Sequence, residues 1–213
     1  MTLTEFFIQI LFHADEQLIE FIKIYGLWTY AILFAIIFVE TGLVIMPFLP
    51  GDSLVFVAGA LAASGSLNIL ALLILLVVAA VLGDSLNYSI GKFIGPKAFK
   101  KEQGIFFRRD YLEKTKIFYE NHGPKTIIIA RFMPFVRTFA PFVAGIGQMH
   151  YPKFLLYNVM GGIIWVGLFA IGGFLFGNIP IVKNNLTFVV IGIVVISLLP
   201  AVIKLVKKKL NKK

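Results

Sequence analysis

The chain has 213 residues, of which 59% are hydrophobic and only 15% charged, with a formal net charge of +9 and a mean hydropathy of +0.89. Soluble domains run about 45–50% apolar and about 25% charged, which argues against a water-soluble fold; at roughly 20 residues per span the length admits one integral membrane domain and no soluble domain beside it. The excess Lys and Arg fall in residues 97–116 and 204–213, each next to an apolar segment, so they read as topology signals rather than as a nucleic-acid surface.

Residues 4–25 place Phe6, Phe7, Ile10, Leu11, Leu18, Phe21 and Ile22 at helical spacing against Glu5, Gln9, His13, Asp15, Glu16 and Glu20. The pattern predicts an amphipathic N-terminal unit (1–27) that lies in the membrane interface or packs on the bundle. A cleaved signal opens with positive charge, so this acidic start is read as mature sequence. Residues 28–61 hold Glu40 in mid-run and then Pro47, Pro50, Gly51 and Asp52. Proline removes a backbone donor and glycine loosens a helix, so the expectation is a helix that enters, breaks near residues 46–52 and turns back. After a turn at 64–66, residues 67–94 read as a spanning helix carrying Asp84, Asn87 and Lys92. The polar stretch 96–123 is expected in the cytoplasm on the positive-inside rule. Residues 124–148 are again apolar but interrupted, by Arg131, Pro134, Arg137, Pro141 and Gly145. Residues 154–176 and 186–206 read as plain spans, and the Lys-rich tail comes last, returned to the cytoplasm by two crossings.

Two strings recur. Met46-Pro47-Phe48 is matched by Met133-Pro134-Phe135, and Phe56-Val57-Ala58-Gly59 by Phe142-Val143-Ala144-Gly145; Gly83, Gly91 and Gly95 keep the spacing of Trp165, Gly173 and Gly177. The fold expected is therefore all-α and integral to the membrane, an inverted repeat of a re-entrant broken-helix hairpin plus a spanning helix. The transport domain covers 28–182, with repeat units near 28–95 and 124–178; a final span and tail occupy 183–213. Inverted broken-helix repeats place a binding site where the two breaks meet.

Glu40, Asp52, Asp84, Arg131 and Arg137 stand in or beside apolar runs, where each would cost about 2.5–3.5 kcal/mol at a helix centre. Acids gather in the first unit and arginines in the second, so opposite charges meet if the breaks face each other. A set of ion pairs that merely holds two hairpins together is the structural alternative, although buried pairs stabilise poorly compared with apolar packing. Arginine offers a planar fork that stays charged when desolvated and grips phosphate with two hydrogen bonds; Arg131 and Arg137 suit an anionic headgroup. Desolvation disfavours an ionised carboxyl, which makes Glu40 and Asp52 candidates for proton exchange.

The string from Ala130 to Gly145, with Arg131-Phe132-Met133-Pro134-Phe135-Val136-Arg137 at its head, resembles the Arg-Phe-x-Pro-x-x-Arg signature of the DedA family, also called SNARE-associated or VTT-domain proteins. The segment of Glu40 with Pro50-Gly51-Asp52 resembles the acidic first half of that family. The resemblance implies a bacterial cytoplasmic-membrane protein with paired re-entrant hairpins. It also implies a flippase returning undecaprenyl phosphate, the polyprenyl carrier of envelope synthesis, with protons or sodium as coupling ion. The essential acids and arginines of the family fall on Glu40, Asp52, Arg131 and Arg137; Asp84 has weaker support and is carried as accessory.

The leading expectation is thus a transporter whose partners are a lipid phosphate, membrane lipids and a coupling ion. The alternatives are a proton-coupled small-solute or cation transporter, which has no evident use for two buried arginines, and a general phospholipid scramblase. An assembly factor without transport is also open. A lipid-phosphate enzyme is disfavoured because His13, His122 and His150 lie away from the charged strings and no metal-ligand spacing occurs, so neither catalysis, a metal nor a cofactor is expected. The sequence leaves a homo-oligomer open.

Overall fold

The computed structural model describes residues 26–43, 51–98, 123–179 and 192. The N-terminal amphipathic helix, most of the basic loop, the final span and the Lys-rich tail fall outside those residues, as do Pro47 and Pro50. Every element among the described residues is helical: α1 (Trp28–Gly42), α2 (Gly51–Ala63), α3 (Ile69–Ala98), α4 (Lys125–Ala130), α5 (Pro134–Ile146), α6 (Tyr151–Val166), a π-helical turn (Gly167–Ile171) and α7 (Gly172–Phe176).

Two stretches are long and apolar enough to cross a membrane, Ile69–Ile94 and Tyr151–Phe176. Each has 26 residues and so spans about 39 Å, more than the ~30 Å hydrocarbon core. Their outward faces carry Leu70, Ile74, Val78, Leu82 and Leu86 on α3 and Leu156, Met160, Ile163 and Leu168 on the second stretch, all exposed. A stripe of that size is costly in water and cost-free in lipid. The second span differs from the plain helix expected: a π turn interrupts it directly after Trp165 and Val166, and the extra residue in such a turn rotates α7 relative to α6.

The interrupted segments are built from short helices. With 15 residues, α1 covers about 22 Å and falls short of the core thickness. It stops at Gly42, ahead of the break expected at Met46, because Leu43 is extended (φ −109°, ψ 121°). α2 starts at Gly51, inside the expected break. It ends in the expected turn, where Gly65 takes φ +81°. The second interruption falls at Arg131–Met133, where tight i→i+3 bonds close α4 and Met133 is extended. That is the conformation imposed on the residue before a proline, and Pro134 then opens α5 at a position where its missing N–H is harmless. Pro141 requires a correction: the expectation is a break, but α5 runs through it. It deprives the Arg137 carbonyl of its helical donor without ending the helix.

Packing cuts across chain order. α1 and α5 lie on α3, whereas α2 and α4 lie on the Tyr151–Phe176 helix. The two halves of each interrupted segment thus belong to different bodies. The recurring Phe-Val-Ala-Gly strings make reciprocal contacts: a Cβ on Gly59 would run into the carbonyl oxygen of Ala170, and one on Gly173 into that of Phe56. In the other body a Cβ on Gly145 would strike the Tyr88 carbonyl, and one on Gly91 that of Phe142. Backbones touch there because no side chain intervenes. Two apolar clusters fill the remaining space, one around Leu33, Ile37, Leu72, Leu76 and Trp165, the other around Tyr88, Ile127, Ala140 and Phe154.

Alanine at Gly59 or Gly145 is therefore expected to destabilise the protein by about 1–3 kcal/mol, the usual penalty of overpacking. Alanine at Gly167, where nothing lies within 4 Å of the added carbon, is expected to be neutral or to stabilise by up to about 1 kcal/mol. Thermal unfolding of the detergent-solubilised protein reads both; equal effects at the three positions would refute the crossed contacts.

Candidate substrate and coupling site

Arg137 stands in the first turns of α5 and reaches both halves of the first interrupted segment. Its Nη2 donates to Glu40 Oε1, and its Nη1 donates to Asp52 Oδ1 at 2.5 Å. Glu40, near the end of α1, is wholly buried, and Arg137 is only 7% exposed. Glu40 Oε1 also accepts the backbone N–H of Gly51 at 3.3 Å, so its carboxylate serves the free amides at the start of α2, where negative charge is favoured. Glycine is required at residue 51, since a Cβ there would overlap the Glu40 carboxylate. Trp165 completes the group: its Nε1 donates to Asp52 Oδ1 at 2.9 Å, and its ring centre is 5.6 Å from the Arg137 Cζ, within cation–π range.

Arg131 forms a second group. Its Nη2 donates to Asp84 Oδ2 and to Asn158 Oδ1 at 2.6 Å. Asn158 is fixed in turn by donating from Nδ2 to the Val81 carbonyl at 3.0 Å. Gly161 and Gly162 on α6 give the Arg131 side chain its seat, for a Cβ at Gly162 would lie 3.3 Å from Nη1. Between the groups, Asn87 Nδ2 donates to the Thr41 carbonyl at 3.2 Å and the Thr138 carbonyl at 2.7 Å. One amide thereby ties the end of α1 to the middle of α5.

Thr41, Asp84, Ile127, Arg131, Arg137, Pro141 and Trp165 line a cavity of about 10 Å³, the space of a single water molecule. Both arginines therefore face one small enclosure that Ile127, Pro141 and Trp165 help to wall. Among the described residues, Glu40 Oε2, Arg131 Nη1 and Arg137 Nε are buried without a hydrogen-bond partner. Such atoms are rare in native interiors and call for a reason.

The structure brings Glu40, Asp52 and Arg137 together and pairs Asp84 with Arg131; Asp84 is thus as fully engaged as the other two acids. Gly51 and Pro134 lie at helix starts, and Pro141 lines the cavity rather than a break. Sequence reasoning missed Asn158, Asn87, Thr41 and Trp165 as members of the site. Asn158 carried a signal, being a primary amide inside an otherwise apolar span, where polar groups are expensive. So did Trp165, which sits in mid-span and away from the interfacial belts that tryptophan favours.

Paired arginines and acids sealed between broken helices define a membrane protein built around a buried charged centre. The VTT domain model matches residues 49–175, a range that holds Asp52, Asp84, Arg131, Asn158, Trp165 and Arg137 and leaves Glu40 just outside. The chain is 53% identical over 211 residues to Protein DedA of Escherichia coli (strain K12), covering 98% of this chain and 96% of that protein. It is 49% identical over 168 residues to an uncharacterized membrane protein of Mycobacterium leprae, covering 79% and 75% of the two chains. It is 33% identical over 187 residues to Inner membrane protein YghB of Escherichia coli (strain K12), covering 84% and 85%. The protein belongs to the DedA family of VTT-domain membrane proteins. No solved structure matches it.

Removing one partner of a buried pair leaves an uncompensated charge, which costs about 3–5 kcal/mol, whereas replacing both by apolar residues is often close to neutral. Asp84→Leu alone is therefore expected to unfold the protein or lower its melting temperature sharply. Asp84→Leu combined with Arg131→Met is expected to recover most of the loss. Additive effects in this double-mutant cycle would mean that the pair is not coupled as described.

Proposed function

We propose that the protein is a flippase that carries a polyprenyl phosphate, such as undecaprenyl phosphate, across the cytoplasmic membrane. The reading is supported above all by one observation, the guanidinium of Arg137 shared between Glu40 and Asp52 beside the cavity that Arg131 also lines. Two forks that line one water-sized cavity suit a phosphate monoester once the carboxylates give way, and the isoprenoid tail remains in lipid. Because carboxylates occupy the arginines, a headgroup binds by taking their place.

The same geometry supports coupling to protons. Three carboxyls, Glu40, Asp52 and Asp84, face two guanidinium groups, so the centre holds one surplus negative charge when all are ionised. Proton uptake at Glu40 or Asp52 neutralises that surplus and weakens the hold on Arg137 at the moment the phosphate needs it. Sodium is the second candidate ion. The mechanism assigns the chain no catalytic step.

We further read the two interrupted segments, each succeeded by one long helix, as an inverted repeat, with the reciprocal Phe-Val-Ala-Gly contacts as support. One crossing per unit turns the second copy over relative to the first. The basic loop and the C-terminal tail then both face the cytoplasm. The chain has no cysteine, so single cysteines introduced in 97–116 and after residue 206 can be labelled without background. They are expected to resist an impermeant thiol reagent added outside intact cells, while cysteines in 178–185 react; labelling of the basic loop from outside would sink the arrangement.

Reconstitution in liposomes with a polyprenyl phosphate in one leaflet tests the function. Wild type is expected to dissipate the asymmetry, and to accumulate lipid in one leaflet when a pH gradient is imposed. The Arg131→Lys, Arg137→Lys double variant keeps the charge but loses the bidentate fork and is expected to lose transport. Glu40→Gln fixes a neutral side chain and is expected to abolish gradient-driven accumulation while passive exchange survives. A Glu40→Gln protein that melts much earlier, beside a wild type indifferent to the gradient, would instead identify a purely structural ion pair.

A further inference from the structure

Asp52 Oδ1 accepts two strong donors at once, Arg137 Nη1 at 2.5 Å and Trp165 Nε1 at 2.9 Å. The two donors belong to different bodies. Arg137 is on α5, whose backbone meets α3 through Gly145 and Gly91, whereas Trp165 is on the helix that meets α2, the carrier of Asp52, through Gly173 and Gly59. The Trp165–Asp52 bond therefore lies within one packed unit, and the Arg137–Asp52 bond lies across the seam between two. Relative motion of the bodies stretches the second and leaves the first intact.

Trp165 is also out of place unless it has a task. It is 1% exposed, and its counterpart in the recurring glycine spacing is Gly83, where a Cβ would overlap the Thr41 side chain and α1 lies directly on α3. Where one unit has no side chain, the other has the largest one, directed at the charged centre. An indole N–H donates and cannot accept, so it favours an acceptor oxygen, and the ring face favours a nearby guanidinium.

We propose that Trp165 is the positioning residue of the acidic half of this site. Its N–H keeps Asp52 aimed at the seam when Arg137 leaves that oxygen for the lipid phosphate, and its ring keeps a favourable surface to which Arg137 returns. The inference rests on the transport reading for the identity of the incoming anion, but the bond itself and its persistence do not.

The test uses the intact chain labelled with ¹⁵N-tryptophan in a Trp28→Phe background. Trp28 is 71% exposed and the chain has two tryptophans, so the remaining indole signal is that of Trp165. A downfield-shifted, exchange-protected indole N–H is expected. It should persist in the Glu40→Gln, Arg137→Gln double variant, which removes the guanidinium together with one of its buried partners and keeps the net charge of the group, and on addition of farnesyl phosphate; it should move to the free-indole position in Asp52→Ala. A free-indole signal in the parent, or loss of the shift in the double variant while its melting remains cooperative, overturns the proposal. If farnesyl phosphate does not bind, the substrate reading fails, while the double variant still decides this one. In liposomes, Trp165→Phe keeps the ring and loses the donor; turnover per folded molecule is expected to fall about ten-fold, the scale of one hydrogen bond to a charged group, with the half-saturating lipid concentration little changed. Unchanged turnover per folded molecule would leave Trp165 as packing alone.

Discussion

The bond from Arg137 to Glu40 and Asp52 is the constraint on which the rest of the fold depends. A guanidinium and two carboxylates at membrane depth are tolerable only when each is held by the others and by further donors. Glu40 has to come from the end of one helix and Asp52 from the start of the next, so the chain breaks between them, and Gly51 is needed for the carboxylate to lie against the new helix start. Arg137 has to approach from the opposite segment, so that segment breaks as well, at Arg131–Met133.

Crossed packing arises from the same demand. If α1 and α2 stayed together as a self-contained hairpin, their acids would face only each other. Splitting the hairpin lays α1 on α3 and α2 on the Tyr151–Phe176 helix, and the break then straddles the seam into which Arg137 and Arg131 project. The four glycines at the crossings let the backbones close on one another. Dispersion forces at such contacts act over many atoms and hold each body together where lipid supplies little hydrophobic drive between helices.

Much of this was legible in the sequence, and for identifiable reasons. Charges in apolar runs stand out because their transfer cost is large, so Glu40, Asp52, Arg131 and Arg137 declared themselves, and Asp84 less loudly because it stands in no recurring string. Pro134, read only as an interruption, stands where α5 begins, since proline fixes φ and lacks the donor that the first turn does not need. Pro141 misled, because a proline buried in a short helix can be carried by neighbouring contacts: Asn87 donates to the next carbonyl, that of Thr138. The end of α1 at Gly42 was missed because no proline marks it. The swap of hairpin halves between bodies was invisible, for the recurring glycines give the contact positions and not which helix they touch. Trp165 was hidden by composition, in which an aromatic residue in a Phe-rich span reads as packing.

The energetics of the seam bear on how a proposed carrier of this design would move. Among the described residues, two ion pairs cross it, Arg137–Asp52 and Arg131–Asp84. Breaking one buried pair costs about 3–5 kcal/mol, so opening both outright would need on the order of 6–10 kcal/mol and would be slower by about four to seven powers of ten. An anion that replaces the carboxylates removes most of that cost, because each guanidinium exchanges one oxygen partner for another and is never left bare. A proton on the released acid removes the rest. In such a carrier, opening would depend on both ligands being present, and a leak of either one alone would be suppressed by the same desolvation penalty that forced the charges together in the folded protein.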